Sequence, residues 1–205
     1  MNDRIVSGDK PLFAYGTPMH GGYFGGIVNI SGERWGIALA DKAQGEINNA
    51  IWLPDYIDVP GATSVFDGVA NTNAMAEAGS PAALWARGLR IEGHDDWYLL
   101  SMDEKEIVYR NLKPTTEKNY CYLRSGTNVS ALPPTYGYTP TFPLQTTAEA
   151  FKAGGAQAFE PGWYLTSTQY SRVDAWYQHF SDGLQTFSGK LCELHARVAR
   201  RFKID

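Results

Sequence analysis

Alternation of apolar and polar positions is strongest at the two ends of the chain. Ile27, Val28 and Ile30 run into Ser31-Gly32, and Trp35, Ile37 and Leu39 follow at every second position. Successive strand side chains point to opposite faces, so this spacing predicts a hairpin, GGYFGGIVNI–SGE–RWGIALA. The C-terminal fifty residues carry the same pattern as an antiparallel meander, with strands predicted at 163–168, 173–180, 184–187 and 191–199. Tyr170-Ser171, Asp182-Gly183 and Ser188-Gly189 separate them, and an Asp-Gly pair between apolar runs is a strong hairpin signal. In the last strand Cys192, Leu194, Ala196 and Val198 share one face, while Glu193, His195 and Arg197 share the other. That division is expected of a half-buried strand. Its polar face, continued by Arg200, Arg201 and Lys203, is read as solvated and held by local ion pairs, Asp174 being a suitable partner.

Helical signals fill the middle. Asn71/Thr72 are read as the cap of a short Ala/Met-rich helix, and Ser80-Pro81 as the cap and first position of another, which Gly88 stops. Ser101-Met102-Asp103-Glu104 is a capping box, in which the Ser and Glu side chains satisfy orphan amides reciprocally. Its helix buries Ile107, Val108 and Leu112 and ends before Pro114. GHDDWYLL, between the helices, reads as a short buried strand or an extended entry. Thr146 and Glu149 predict a second box over one or two turns, ended by Gly154-Gly155. Residues 52–70 and 114–145 lack either period and read as loops, the second long enough to suspect a function. Residues 1–20, punctuated by Gly and Pro, read as an attachment arm, leaving one domain over 21–205. The elements sum to an α+β fold with two main helices and a loop-rich antiparallel β-meander.

Composition narrows the options. A chain of 205 residues can bury a real core. Aromatics at 13%, with 21 Gly and 11 Pro, fit the loop-rich reading. A net charge of −4 argues against general nucleic-acid binding, which is driven by phosphate neutralisation. No window approaches the ~18 apolar residues of a membrane span, and MNDRIVSGDKPLF lacks the apolar region of a secretory signal. Folding in a cytoplasm without membrane insertion is therefore expected. Cys121 and Cys192 suit neither a disulfide framework nor a zinc pattern and are expected as free thiols.

No catalytic constellation emerges. His20, His94, His179 and His195 show no metal-ligand spacing, and His94-Asp95-Asp96 reads as a strand-entry turn. There is no nucleophile elbow, P-loop or dinucleotide motif, and the Gly pairs at 21–22, 25–26 and 154–155 lack a strand–loop–helix setting. Carboxylate pairs sit at helix starts, where they suit the dipole. Neither metal nor cofactor is expected.

Three ordered blocks carry a family resemblance. GHDDWYLLSMDEKEIVYRNLKP resembles the "DWYLPSkdEL…L" segment of the Lcl C-terminal-domain-like family. GWYLTSTQYSRVDAWYQHFSDG resembles its "YWSST…AW…F.dG" segment, and LHARVARRF its closing "RvRaVRrf". GGYFGGIVNISGERWGIALADKAQGE and AMAEAGSPAALWARGLRIEG look like phage versions of the same module, so the resemblance covers most of residues 20–202. It implies a C-type-lectin-like fold, shared with formylglycine-generating enzymes and with the tropism proteins of retroelement-carrying phages. It further implies a virion protein without enzymatic activity: the receptor-binding module of a tail fibre or baseplate, attaching to the bacterial host surface. Implied partners are a bacterial surface receptor (protein or glycan), other phage tail proteins and further copies of the chain, with threefold symmetry the natural one for a fibre. The alternative is a structural virion component, a decoration or fibre-connecting protein that uses the same surface as a subunit interface. Leu100, Leu165, Thr166 and His195 depart from the family pattern, so any role of the tryptophan that Leu165 replaces does not transfer. The calcium-coordinating triplets of sugar-binding lectins and the copper-binding cysteine pair of the enzymes have no counterpart here.

GWYLTSTQYSRVDAWYQHF, residues 162–180, concentrates aromatic rings that fall on both faces of the predicted strands. The resemblance reaches Ala175-Trp176, so Trp163, Trp176 and one tyrosine are assigned to the core. Tyr170, Arg172, Asp174, Tyr177 and His179 form the candidate ligand-binding surface, because Tyr and Arg supply large contact area at low ordering cost. An ordinary solvated sheet face is the competing reading. The tropism proteins write their diversity into this region, which makes residues 165–187 a candidate variable patch of a diversity-generating retroelement.

Overall fold

A computed structural model describes residues 13–204. Its first strands are β1 (Pro18–Met19), β2 (Gly22–Ile30) and β3 (Glu33–Leu39). β2 and β3 form the expected hairpin with Ile30 opposite Glu33. Ser31 and Gly32 adopt φ of 53° and 88°, the paired left-handed conformations that match a two-residue turn to strand twist. A one-turn helix, α1 (Lys42–Gly45), capped by the Asp41 side chain, leads into β4 (Glu46–Ile51).

The helical middle contains α2 (Gly68–Glu77), α3 (Pro81–Gly88) and α4 (Met102–Leu112), with β5 (Tyr98–Leu99) ahead of α4. The capping boxes fared unevenly. That of α4 is present, Ser101 N–H donating to Glu104 Oε2 at 2.8 Å. The box expected at Thr146/Glu149 does not form; a single 3-10 turn, Glu149–Phe151, stands there without a side-chain cap. α3 starts at Ser80 as expected. α2 starts earlier than Asn71/Thr72, because Asp67 accepts from Ala70 N–H and caps it first. Asn71 and Thr72 are buried inside the helix, where Asn71 Nδ2 donates to Ser64 O and the Thr72 hydroxyl to Gly68 O.

The meander comprises β6 (Trp163–Gln169), β7 (Asp174–His179), β8 (Gln185–Gly189) and β9 (Glu193–Lys203). The strands order as β1-β2-β3-β9-β6-β7-β8, with β4 and β5 also paired to β9. β9 is the axis of the sheet. Its C-terminal half runs antiparallel to β3 and its N-terminal half to β4, while β5 and β6 join it through Tyr98↔Ala199 and Tyr164↔His195. The architecture is therefore α+β, four helices with a nine-stranded sheet among the described residues.

Three hydrophobic clusters draw on this axis, the smallest made of Phe24, Ala38 and Phe202. Ala196 and Val198 pack with Trp52, Trp97, Leu165, Tyr177 and the alanines of α3. Ala199 packs with Leu39, Tyr109, Phe151, Phe159, Tyr164 and Phe180 against α4. Because β9 is covered on both sides, the expectation of a solvated polar face fails at Arg197, which is fully buried. Its guanidinium donates to Ala40 O at 2.8 and 3.1 Å and to Gln157 O at 2.7 Å, over the rings of Phe151 and Phe159. Nearer the end of β9 the cations do form local ion pairs, but with Asp96, Asp67 and Glu33 rather than Asp174.

The arm expected over residues 1–20 lies outside the described residues as far as residue 12. Within residues 13–20, β1 pairs with β2, and Tyr15 stacks on Phe24 with ring centroids 5.7 Å apart. The long loop at 114–145 is irregular as expected and is tied to α4 by buried amides. Asn128 Nδ2 donates to Asp103 O and Glu106 Oε2, both at 2.8 Å, and Asn119 Oδ1 accepts from the Tyr109 hydroxyl and Lys113 Nζ. Among the described residues no helix is long and apolar enough to cross a membrane.

Candidate binding face

The β7–β8 hairpin decides which rings of residues 162–180 face outward. Its register pairs Gln178 with Gln185 and Trp176 with Phe187. Hydrogen bonds from His179 N–H to Leu184 O and from Gly183 N–H to His179 O close a loop over residues 180–183, longer than a two-residue Asp-Gly turn. These two cross-strand pairs lie on one face of the hairpin. At one end the face is covered: Gln178 and Gln185 are both buried, Gln178 near the Tyr138 hydroxyl and Gln185 bonded to Met102 O. At the other end the face is part-exposed, and rings take the surface. Tyr170, 48% exposed, stacks on Phe187, 42% exposed, with centroids 3.6 Å apart and planes 9° from parallel. Trp176 stands edge-on to both, at 5.3 and 5.7 Å. Val173 and Leu191 are exposed nearby in sequence, at the mouths of the two adjoining turns.

The five side chains expected to form a site are not all brought together. Tyr170 is in the aromatic cluster. Arg172 is exposed beside it in the turn, and its Nε donates to Tyr56 O at 2.5 Å, which fastens the turn to the 52–67 loop. Asp174 shapes that turn: its carbonyl accepts from the N–H groups of Tyr170 and Ser171, and its N–H donates to Ser171 Oγ. Tyr177 is a correction. It is 3% exposed, lies in the core with Trp52 and Leu165, and its hydroxyl donates to Gly189 O at 2.6 Å. Burial pushes that phenol well above its ordinary range. His179 shares Tyr177's side of the strand, tilted against Trp163 at 4.8 Å with Nδ1 3.0 Å from Asp182 Oδ1. Burial opposes ionisation of Asp182, but bonds from His179 and Leu184 N–H outweigh it and hold the carboxyl below its usual range.

Trp176 is the complementary correction. It is half-buried at the surface rather than in the core, whereas Trp163 does pack against the first core. The exchange has a simple cause. Tyr177 faces the interior together with its small neighbour Ala175 and cross-strand partner Leu165, and adjacent residues of a strand must face opposite ways. Phe187 had no place in the expected site. Its available signal was a lone ring in the polar strand QTFSG, on the face that the hairpin shares with Trp176.

This face offers flat π surfaces bordered by a guanidinium and backbone groups of a tight turn. It can stack a ligand and hold it by hydrogen bonds at the rim. The two cysteines are free, Cys121 exposed and Cys192 half-buried. No protein-family model matches the chain, and comparison with curated proteins gives no match.

Proposed function

We propose that this chain is a non-enzymatic attachment module with a C-type-lectin-like fold, the receptor-binding part of a phage tail fibre or baseplate, working in the virion. The observation that carries the binding role is the open cluster of Tyr170, Trp176 and Phe187. Rings held at a surface by one another, with arginine at the rim, have the composition of a binding hot spot. What supports the fold assignment is the pairing of β3, near one end of the chain, with β9 at the other, the helices α2 and α4 between them, and the antiparallel meander that follows. The phage setting rests on the three sequence blocks.

The test is binding of fluorescently labelled protein to a panel of bacterial strains, beside a Tyr170→Ala/Phe187→Ala variant. Saturable binding to a few strains, weakened about tenfold or more in a variant with an unchanged melting temperature, is the expected result. Equal binding by both proteins would remove the face from the reading.

A structural virion role is favoured by a different observation. The 114–145 loop exposes Tyr122, Leu123, Val129, Tyr136, Phe142 and Leu144, an apolar display of the kind found where subunits meet. Sedimentation across a concentration series tests it. Self-association that Tyr136→Ser/Leu144→Ser abolishes, with no binding to cells, would move the assignment to assembly.

A further inference from the structure

We propose that the partner at the aromatic face is a polypeptide, which adds an extended strand to the free edge of β8 and sets an apolar side chain of its own against Phe187. This partner class rests on the attachment reading and narrows it, from any surface receptor to a protein with an accessible extended segment.

β8 ends the sheet: its sole ladder among the described residues is with β7. Bonds at the two ends of that ladder fix which backbone groups it uses. His179 N–H donates to Leu184 O and Lys190 N–H to Val173 O, both at 2.9 Å. An antiparallel ladder alternates bonded and non-bonded pairs. In this register Thr186 and Ser188 therefore bond inward to Tyr177 and Ala175. Gln185, Phe187 and Gly189 turn their backbone groups away from β7. Gln185 is fully buried, which closes that end of the edge, whereas Phe187 is exposed and Gly189 half-buried. Gly189 O is taken by the Tyr177 hydroxyl and Cys192 N–H. The groups left open among the described residues are Phe187 N–H, Phe187 C=O and Gly189 N–H.

Nothing in the strand defends this edge. An open row of N–H and C=O groups templates pairing with another chain, so exposed edges are normally guarded by lysine, proline, a bulge or a cover. QTFSG contains no charge and no proline, and its register against β7 has no break. The adjoining Lys190 is fully buried, with Nζ on Ile57 O and Gln169 Oε1. Five residues is an ordinary strand length rather than a stub.

The side chains say what the added strand carries. Toward an incoming antiparallel strand Phe187 forms a bonded pair, with its opposite residue about 5.5 Å away between Cα atoms. That residue's side chain joins the face of Trp176 and Phe187 beside the Tyr170 ring, where an apolar or aromatic group extends the row. Tyr56 and Ile57 widen the apolar ground, their carbonyls held by Arg172 and Lys190. A glycan can stack on the rings, but a donor, an acceptor and a second donor in strand spacing are the complement of another backbone. A second copy of this chain fits less well. Antiparallel self-pairing centred on Phe187 sets Gly189 of one copy opposite the buried Gln185 of the other.

Hydrogen exchange in the free protein tests the edge itself. The Phe187 and Gly189 amides are expected to exchange about tenfold or more faster than those of Thr186 and Ser188. Cell binding tests the partner. Gly189→Pro removes one outward N–H and leaves the rings and the ladder alone, where nothing lies within 4 Å of an added Cβ. Ser188→Lys places the usual edge guard at an exposed position and serves if the proline variant fails to fold. Each is expected to weaken saturable binding to a target strain about tenfold at unchanged melting temperature. Treating the cells with proteinase K, and not with periodate, should abolish binding. Binding that survives the protease, is lost to periodate, or is equal in the parent and both variants overturns the strand proposal and leaves attachment standing. Slow exchange at Phe187 refutes the open edge. A concentration-dependent dimer that Gly189→Pro abolishes gives the edge to a second copy and overturns the proposal as well. Absence of binding to every strain removes the attachment reading, and the strand partner with it.

Discussion

At the scale of single residues, Arg197 joins segments far apart in the chain. It closes the backbone at Ala40, anchors Gln157 and lies between the Glu46 carboxylate and the rings of Phe151 and Phe159. Arg197→Ala would strand those carbonyls and leave the buried Glu46 with Lys42, 4.0 Å away, as its remaining ion-pair partner. The expected loss is about 3–5 kcal/mol, the usual result of removing one partner of a buried pair. Arg197→Lys should retain part of that, because an ammonium cannot fork to two carbonyls. Urea unfolding followed by circular dichroism measures both, and a loss for alanine no larger than that of a surface substitution would refute the assignment. Alternation put Arg197 on the correct side of its strand. The cover over that side comes from residues 151–160, some forty positions earlier, and no local pattern announces such a closure. The same limit explains Trp176 and Tyr177: alternation separated them correctly, but only the assembled sheet says which face is inside.

At the scale of elements, local signals place some caps and turns but not the cap of α2 or the box at Thr146/Glu149, which does not form. Caps at Ser80 and Ser101, the Ser31-Gly32 turn and the buried β5 all depend on neighbours within a few positions. α1 and β4 escaped because a single turn has no period, and in EINNAI the bulge destroys the alternation that would mark a strand. The Ser31-Gly32 turn carries a prediction. Ser31 sits at φ 53°, a region that costs most L-residues about 1–2 kcal/mol and asparagine less. Asn29 Oδ1 already accepts from Gly32 N–H at 2.8 Å and holds the turn from the other side. Ser31→Asn is therefore expected to stabilise the protein by roughly 0.5 kcal/mol, and Gly32→Ala, at φ 88° with open space around it, to destabilise it by strain alone. Paired thermal melts check the opposite signs; a shift of the same sign in both would show that the turn is not what limits the hairpin.

At the scale of the whole molecule, the buried charges of α4 make stability depend on pH in a defined way. α4 packs between the sheet and the 114–145 loop, and Asp103, Glu104, Lys105 and Glu106 are all buried in it. Burial raises the Glu104 carboxyl to about 6 despite its bonds from Ser101 and Tyr98, and lowers the Lys105 ammonium to about 7. Between its unfolded value of 4.5 and about 6, Glu104 binds its proton more tightly in the native state, so stability falls as pH rises through that window. The drop is about 2 kcal/mol from this group, and Asp103 and Glu106, also raised by burial, act in the same direction. Between about 7 and 10.5 the unfolded chain holds the Lys105 proton that the native state has released, so stability rises with pH. Beside burial, the charges that act on Lys105 are Glu46, Arg197 and Glu104. Lys105→Met should be more stable than the parent at pH 6, with the advantage shrinking toward pH 10; Glu104→Gln should reduce the fall on the acid limb, Asp103 and Glu106 supplying the rest. Melting temperatures across pH 4–10 for the three proteins read both limbs. An alkaline rise that survives in Lys105→Met would assign that limb to other groups, and an acid limb identical in Glu104→Gln and the parent would remove Glu104 from it.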